Sequence, residues 1–403
     1  MFKKKYHYFK GVPLITGTCI GAGMIGLPVK TAAVGFYPTI IALIIVWGIM
    51  TYSALLLLEV SLFFPGKHNF ISMTNSIFGR VGKNIAWFVC LMFLYSIMGA
   101  FAAGGASMLS RLLFIDLKIA ILLFMCPFAV IIYLGTNAVA MVNKILTIGI
   151  IGFFILLCFS ICISTHNLQP LANFTYSYDF KSLLISLPLI VTTFSYHEII
   201  PSVKSYLKEE VIPLKIAILL GGFIPLIIYI IWELIILLLV PVSGIDGLIS
   251  MLSANENPGD SLVKYLLEHN NNISILFFMI GFSACALTCS FTGTAWALCD
   301  FFADGLHTKN RVMLSFLTFV PPIIYVMLFP QGFLKALGFA GAFSAIIMIV
   351  YPSLMAYKIR SNIDYISNKH LKYKVPINKL FIGLIFVFGV VIVILEGVSN
   401  FAN

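Results

Sequence analysis

Runs of about twenty apolar residues recur along the whole chain, and they decide the medium in which it folds. Eleven such runs lie near residues 11–34, 36–63, 85–114, 118–137, 145–165, 183–203, 214–241, 273–300, 311–329, 332–356 and 378–397. A helix rises roughly 1.5 Å per residue, so each run matches a hydrocarbon layer about 30 Å thick. Only 10% of the 403 residues are charged and 61% are hydrophobic, whereas a soluble domain carries roughly 25% charged residues. A water-facing surface cannot be assembled from so few charges, which excludes a soluble enzyme. In lipid every backbone group must find its partner within the protein, and helices do this segment by segment. The expectation is an all-α polytopic membrane protein with eleven transmembrane helices.

The formal net charge of +10 does not point to nucleic acid, because Lys and Arg lie between the apolar runs rather than along one stripe. Of the 25 Lys and Arg, six (Lys30, Arg111, Lys118, Lys181, Lys264 and Lys335) fall on one side of the expected spans. The other 19 fall on the side of the N-terminus. Positive charge collects in the cytoplasm. The N-terminus is therefore expected to be cytoplasmic and, after eleven spans, the C-terminus periplasmic. The eight cysteines show no CxxC or Cys/His spacing and read as buried small hydrophobes. No metal or cofactor is expected. No nucleotide-binding loop or hydrolase signature occurs, so ATP is not expected as a partner and no catalytic residues are assigned.

Two runs are irregular. The first contains GAGMIGLP, Gly21 to Pro28, and the sixth contains TFSYHEIIP, Thr193 to Pro201. Interrupted helices at matching positions of two halves mark many secondary transporters. The two irregular runs are five spans apart, and an odd offset inverts the second relative to the first. The longest connection of each half, about 64–84 and about 242–272, also falls at matching positions on opposite sides. The whole chain, 1–403, reads as one transmembrane domain. Its inverted repeats cover approximately 11–165 (spans 1–5) and 183–356 (spans 6–10), and an eleventh helix is added at approximately 378–397.

Non-helical backbone at membrane depth survives where something polar meets it. Three glycines let a ligand approach the main chain, and the N-terminus of the following half-helix suits a carboxylate. The carbonyls that end the preceding half-helix suit an ammonium group or a cation. Close helix packing through small residues is the other reading of Gly21, Gly23 and Gly26. In the sixth run His197 is the one histidine of seven well inside a span, and Glu198 follows it. Ionisable residues at that depth mark pathways or coupling sites. A proton carried on His197 and hydrogen bonding to the break are both open. Glu233 lies in span 7, Glu59 and Asp300 lie near span ends within reach of water, and span 8 is rich in hydroxyls. Tyr95, Thr288 and Thr292 are cavity-lining candidates, with packing or backbone bonding as their ordinary roles.

The stretch TGTCIGAGMIGLPVKTAAVGF (Thr16 to Phe36) resembles the first-helix signature of the bacterial hydroxy/aromatic amino acid permeases. FSYHEIIPS (Phe194 to Ser202) is similar to their sixth-helix motif, and YIIW (Tyr229 to Trp232) sits where span 7 carries a similar pair. Glu198 stands where that family pattern has a small or amide residue. The resemblance implies a fold of the leucine-transporter type and proton symport of an aromatic amino acid across the bacterial inner membrane by alternating access. Tyrosine is the first expected substrate and tryptophan the second. It also implies that Gly21, Ala22, Gly23, Met24, Ile25 and Gly26 bind the charged backbone of the substrate. Phe194, Ser195, Tyr196 and His197 would form the opposite wall, and His197 and Glu198 are the proton-coupling candidates. A sodium-coupled or exchanging carrier of serine, threonine or another neutral amino acid is the alternative. Oligomeric state is left open.

Overall fold

The computed structural model describes residues 8–64, 66, 68–163, 179–253, 258–269, 272–329, 333–361, 373–376 and 378–401. Among the described residues, all regular structure is helical, and ten helices are long and apolar enough to cross a membrane. The eleventh crossing is the first run. It is broken into Val12–Cys19 and Ala22–Thr31, each half too short to span by itself. Span 2 is Phe36–Phe63, span 3 Phe70–Leu113, span 4 Leu117–Leu134 and span 5 Thr136–Ile163. Span 6 runs from Phe180–Thr193 through a 3-10 turn, His197–Ile199, into Ile200–Tyr206. Span 7 is Val211–Leu239, span 8 Ile273–Gly305 and span 9 Arg311–Leu328. Span 10 joins Phe333–Ala345 to Tyr351–Ser361 through a π-helical turn at Ile346–Val350, and span 11 is Lys379–Phe401.

The interrupted helices lie inside the bundle. The first half of span 1 packs on spans 5, 7 and 8, and its second half packs on spans 6 and 7. In the most apolar stretch of span 6, 67% of residues are buried, against 28% in spans 4, 9 and 11. The latter three therefore turn their large apolar side chains, such as Leu123, Val130, Phe316 and Leu384, to the hydrocarbon. Lipid is as apolar as those residues and leaves them free to face outward. Cys126 and Cys162 also face outward. Cys19, Cys90 and Cys289 are buried as expected, and all eight cysteines are free thiols.

Several boundaries differ from the apolar runs because capping, not hydropathy, sets helix ends. Span 3 begins fifteen residues earlier than its run. The Asn69 side chain accepts from the Phe70 N–H at 2.7 Å, and Ser72 Oγ accepts from the Asn69 N–H at 3.0 Å, a reciprocal cap that starts a helix on polar sequence. Gly79 (φ 68°) then bends this lead-in turn away from the membrane-crossing part. Span 5 begins directly after Gly135 (φ 102°), so Lys144, expected in a connection, sits within a helix. Glu59 is not reached by water. It is 1% exposed and takes two hydrogen bonds from the Arg360 guanidinium, at 2.8 Å and 2.5 Å. The connection between spans 7 and 8 carries two short helices, Leu248–Ser253 and Pro258–His269, which cover the second half of span 1.

Candidate functional site

The first break is a short extended passage, with Ile20 at φ −80°, ψ 95° and Gly21 at φ −143°, ψ −145°. Helical bonding stops there, so the last carbonyls of the first half-helix need partners from elsewhere. Ser290 of span 8 supplies one. Its Oγ lies 3.1 Å from the Gly17 carbonyl, 2.9 Å from that of Thr18 and 2.8 Å from that of Ile20. A hydroxyl has one hydrogen, so it satisfies one of these oxygens at a time. Close approach requires small residues here. A methyl group on Gly21 would come 2.5 Å from Ser290 Oγ, and one on Gly23 would come 2.7 Å from Thr193 Cγ2.

The second break follows Thr193. Phe194 and Tyr196 leave helical geometry (φ −99°, ψ 31° and φ −143°, ψ 5°), and Pro201 sits in the first turn of the helix that resumes. Proline costs nothing there because the first-turn N–H has no helical partner. The breaks are braced together by Tyr229 of span 7. Its hydroxyl lies 2.6 Å from the Cys19 carbonyl and 2.8 Å from the Thr193 carbonyl, one at each break. Three residues on, Trp232 Nε1 donates to the Met24 carbonyl at 3.0 Å, and Thr31 Oγ1 donates to Glu233 at 2.6 Å. Positions 229, 232 and 233 share one helix face, so span 7 acts as a splint along both halves of span 1.

A narrow cavity lies between the breaks. Thr18, Cys19, Gly21 and Gly23 border it from span 1, and Thr192, Ser195 and Glu198 from span 6. Ile97 and Phe101 come from span 3 and Thr294 from span 8. A second narrow cavity lies nearer the end of the bundle where spans 2 and 3 are joined. His197 and Glu198 border it together with Asn69, Phe70, Cys90 and Ala297.

The sequence-predicted residues divide between these places. Gly21, Gly23, Ser195 and Glu198 meet at the first cavity, and His197 borders the second. Met24 is fully buried and serves through its carbonyl. Gly26 needs no close approach, since a methyl group there would meet nothing nearer than Leu337 at 3.7 Å. Ala22 and Ile25 belong to the second half-helix, and their side chains lie outside the described residues. Phe194 packs edge-on against Tyr229, with ring centroids 5.4 Å apart. Tyr196 stacks on the His197 ring and reaches Gly222 of span 7. Tyr95 donates to the Leu317 carbonyl of span 9 at 2.7 Å, and Thr288 and Thr292 bond carbonyls of their own helix.

The site is poor in charge. Neither ring nitrogen of His197 has a side-chain partner, although the Met50 backbone of span 2 lies within its reach, and Glu198 Oε2 has no partner. Among the described residues no group of three His, Cys, Asp or Glu could hold a metal ion. Bare backbone at two breaks, four hydroxyls and one carboxyl group can meet the carboxylate and ammonium groups of a zwitterion, while Ile97 and Phe101 offer apolar contact. Phe101, Ile97 and Thr192 carry no signal in the sequence that separates them from the other apolar or hydroxyl residues of their spans. Tyr229 entered only through its likeness to a span-7 pair, and its bridging role depends on where span 7 lies.

Comparison with known proteins agrees with this architecture. A manganese transporter from Eremococcus coleocola, solved with an aromatic bis-isothiourea compound, superposes with a TM-score of 0.62 at 12% identity. The superposition covers 99% of this chain and 87% of that one. It supports the leucine-transporter-type fold and nothing finer. In sequence, tyrosine-specific transport system 1 of Haemophilus influenzae is 32% identical over 400 residues, 94% of each chain. The tryptophan-specific transport protein of Pseudomonas aeruginosa is 31% identical over 361 residues, 86% of this chain and 85% of that one. The tryptophan/tyrosine permease family model matches residues 4–396, and the chain with its two braced breaks belongs to that family.

Proposed function

We propose that this permease imports an aromatic amino acid, tyrosine first and tryptophan second, across the bacterial inner membrane as a proton symporter. The observation that carries the reading is one cavity bordered by both breaks and by a single carboxyl group, Glu198. The half-helix beginning at Ala22 offers N–H groups to the substrate carboxylate. The carbonyls ending the preceding half-helix face its ammonium group, and Phe101 and Ile97 meet the ring. Spans 1–5 and 6–10 form the two inverted repeats, with span 11 outside them. The N-terminus is cytoplasmic and the C-terminus periplasmic. Alternating access follows from rocking of one set of spans about the fixed site. The walls must part to admit a substrate, because the cavity is narrow in this closed form. The protein moves its substrate unchanged and catalyses no reaction.

Coupling is assigned to His197 and Glu198, the adjacent ionisable residues at the sixth break, of which Glu198 Oε2 has no hydrogen-bond partner. The test is uptake of labelled tyrosine by proteoliposomes under an imposed pH gradient without sodium. Unlabelled tryptophan, phenylalanine and serine compete in parallel. Accumulation should collapse with a protonophore, yield to aromatic competitors alone, and be lost in the double variant His197→Gln, Glu198→Gln. Accumulation that survives in that variant removes the coupling assignment.

One observation favours a second reading. Three carbonyl oxygens of span 1 converge within 3.1 Å of Ser290 Oγ, an oxygen-rich spot suited to a hard cation. On that reading the carrier is driven by sodium and takes smaller neutral amino acids. Uptake that requires sodium and yields to serine decides for it.

A further inference from the structure

Among the described residues Glu198 is the one side chain that borders both cavities, and the two differ in kind. The cavity between the breaks offers hydroxyls and bare backbone. The other touches the sixth break only through His197 and Glu198 and is otherwise walled largely by apolar side chains, among them Leu57, Phe93, Phe301 and Ile347, with Asn69 as a further polar group. Asn69, His197 and Glu198 alone are too few to replace the hydration of both charges of a zwitterion, and desolvating such charges without partners costs several kcal/mol or more. A single water with an acid–base pair needs much less room. His197 borders this second cavity with no side-chain partner and the Met50 backbone beside its ring, and Glu198 Oε2 is unpartnered and closed to solvent. Asn69 and Phe70, the cap and the first residue of span 3, also border it, on the side of the N-terminus.

The geometry points to separate exits: Glu198 is the partition between a substrate chamber and a proton chamber, and its proton leaves through the second cavity while the substrate leaves from the first. This rests on the proton-symport reading above. The carboxyl O–H bond breaks towards water in the second chamber, the His197 ring is the next acceptor, and the carboxylate left behind resets the carrier. The titratable groups that face Glu198 are Cys19 of span 1 and Cys90 of span 3, with His197 beside it in the chain. Span 8 turns Ala297 and Phe301 towards the same chamber, span 2 turns Leu57 and span 10 turns Ile347, none of them ionisable.

The experiment narrows the second chamber without touching the first. Ala297→Leu fills it from span 8, and Leu57→Phe fills it from span 2 should the first variant fail to insert. Two rates are read in proteoliposomes: net uptake of labelled tyrosine driven by a pH gradient, and exchange of labelled for unlabelled tyrosine at equal pH. Net uptake requires release of the proton on every cycle, whereas exchange lets the carrier return still protonated. The expected result is a fivefold or greater loss of net uptake with exchange within twofold of the parent protein. Equal loss of both rates would overturn the proposal and make the two cavities one substrate route. No loss of either rate in both variants would overturn it too, leaving the second cavity as packing space. If the unaltered protein shows no uptake driven by a pH gradient, the symport reading itself has failed, and that result is distinct from both.

Discussion

Three glycines of the first run look alike in the sequence, yet their surroundings set them apart. A methyl group on Gly23 would lie 2.7 Å from Thr193 Cγ2 and 3.0 Å from Thr193 Cα, while one on Gly26 would rest in ordinary contact. The Thr193 methyl is short and stiff at χ1 and cannot swing aside, so Gly23→Ala must push the two breaks apart. The expected outcome is at least tenfold weaker tyrosine binding for Gly23→Ala and a change within twofold for Gly26→Ala, read by equilibrium binding in detergent. Adding Thr193→Ser, which removes the offending methyl group, should restore part of the affinity. Equal effects at Gly23 and Gly26 would refute the close-approach argument. Both glycines sit in one motif, so their difference was not legible from spacing. It arises from which neighbour each one meets.

At the scale of elements, the C-terminal end of span 6 is fastened to span 2 by one buried lysine. Lys204 is fully buried, and its Nζ donates to the carbonyls of Ser61 and Phe64 at 2.7 Å and of Gly66 at 3.1 Å. A cation at a helix C-terminus meets both the unpaired carbonyls and the negative end of the dipole. Glu209 adds an ion pair at 3.7 Å and accepts from the Gly66 N–H at 2.7 Å. This fastening lies beside the second cavity, on the side of the N-terminus. Lys204→Met should loosen that end and raise the rate at which Cys90, on the cavity wall, reacts with a maleimide in a background lacking the other seven cysteines. A several-fold increase is expected, and an unchanged rate would reduce Lys204 to a plain helix cap. Lysine at a span end reads from sequence as a topology signal. That it closes a second helix follows only from the nearness of spans 2 and 6.

At the scale of the whole molecule, spans 2 and 10 and the segment before span 11 are joined through one buried ion pair. Arg360 Nη2 donates to Glu59 and also to the Val375 carbonyl at 2.9 Å, and the Val375 N–H donates back to Glu59 at 2.7 Å. Removing one member of a buried pair leaves an uncompensated charge, at a cost of about 3–5 kcal/mol. Arg360→Ala should therefore lower the melting temperature in detergent markedly. The double variant Glu59→Gln, Arg360→Met should recover much of the loss, because it removes both charges together. A double variant no more stable than the single one would refute this account. Hydropathy located both residues near span ends. Their separation of 301 positions left no trace of the pairing in the sequence.

What the chain's own sequence determined is the medium, the number of crossings and the two places where helices break. These are local consequences of apolar length and of glycine, proline and ionisable residues at membrane depth, and each can be read within about thirty residues. Tertiary structure alone decided which residues face one another across the breaks. Lipid and helix interiors are equally apolar, so in a membrane protein hydropathy does not mark the side of a helix that faces inward. That is why Phe194 and Tyr196 turn towards span 7 while Ser195 and Glu198 border the cavity. It is also why Tyr229, Ser290 and Phe101, from three other spans, complete the site.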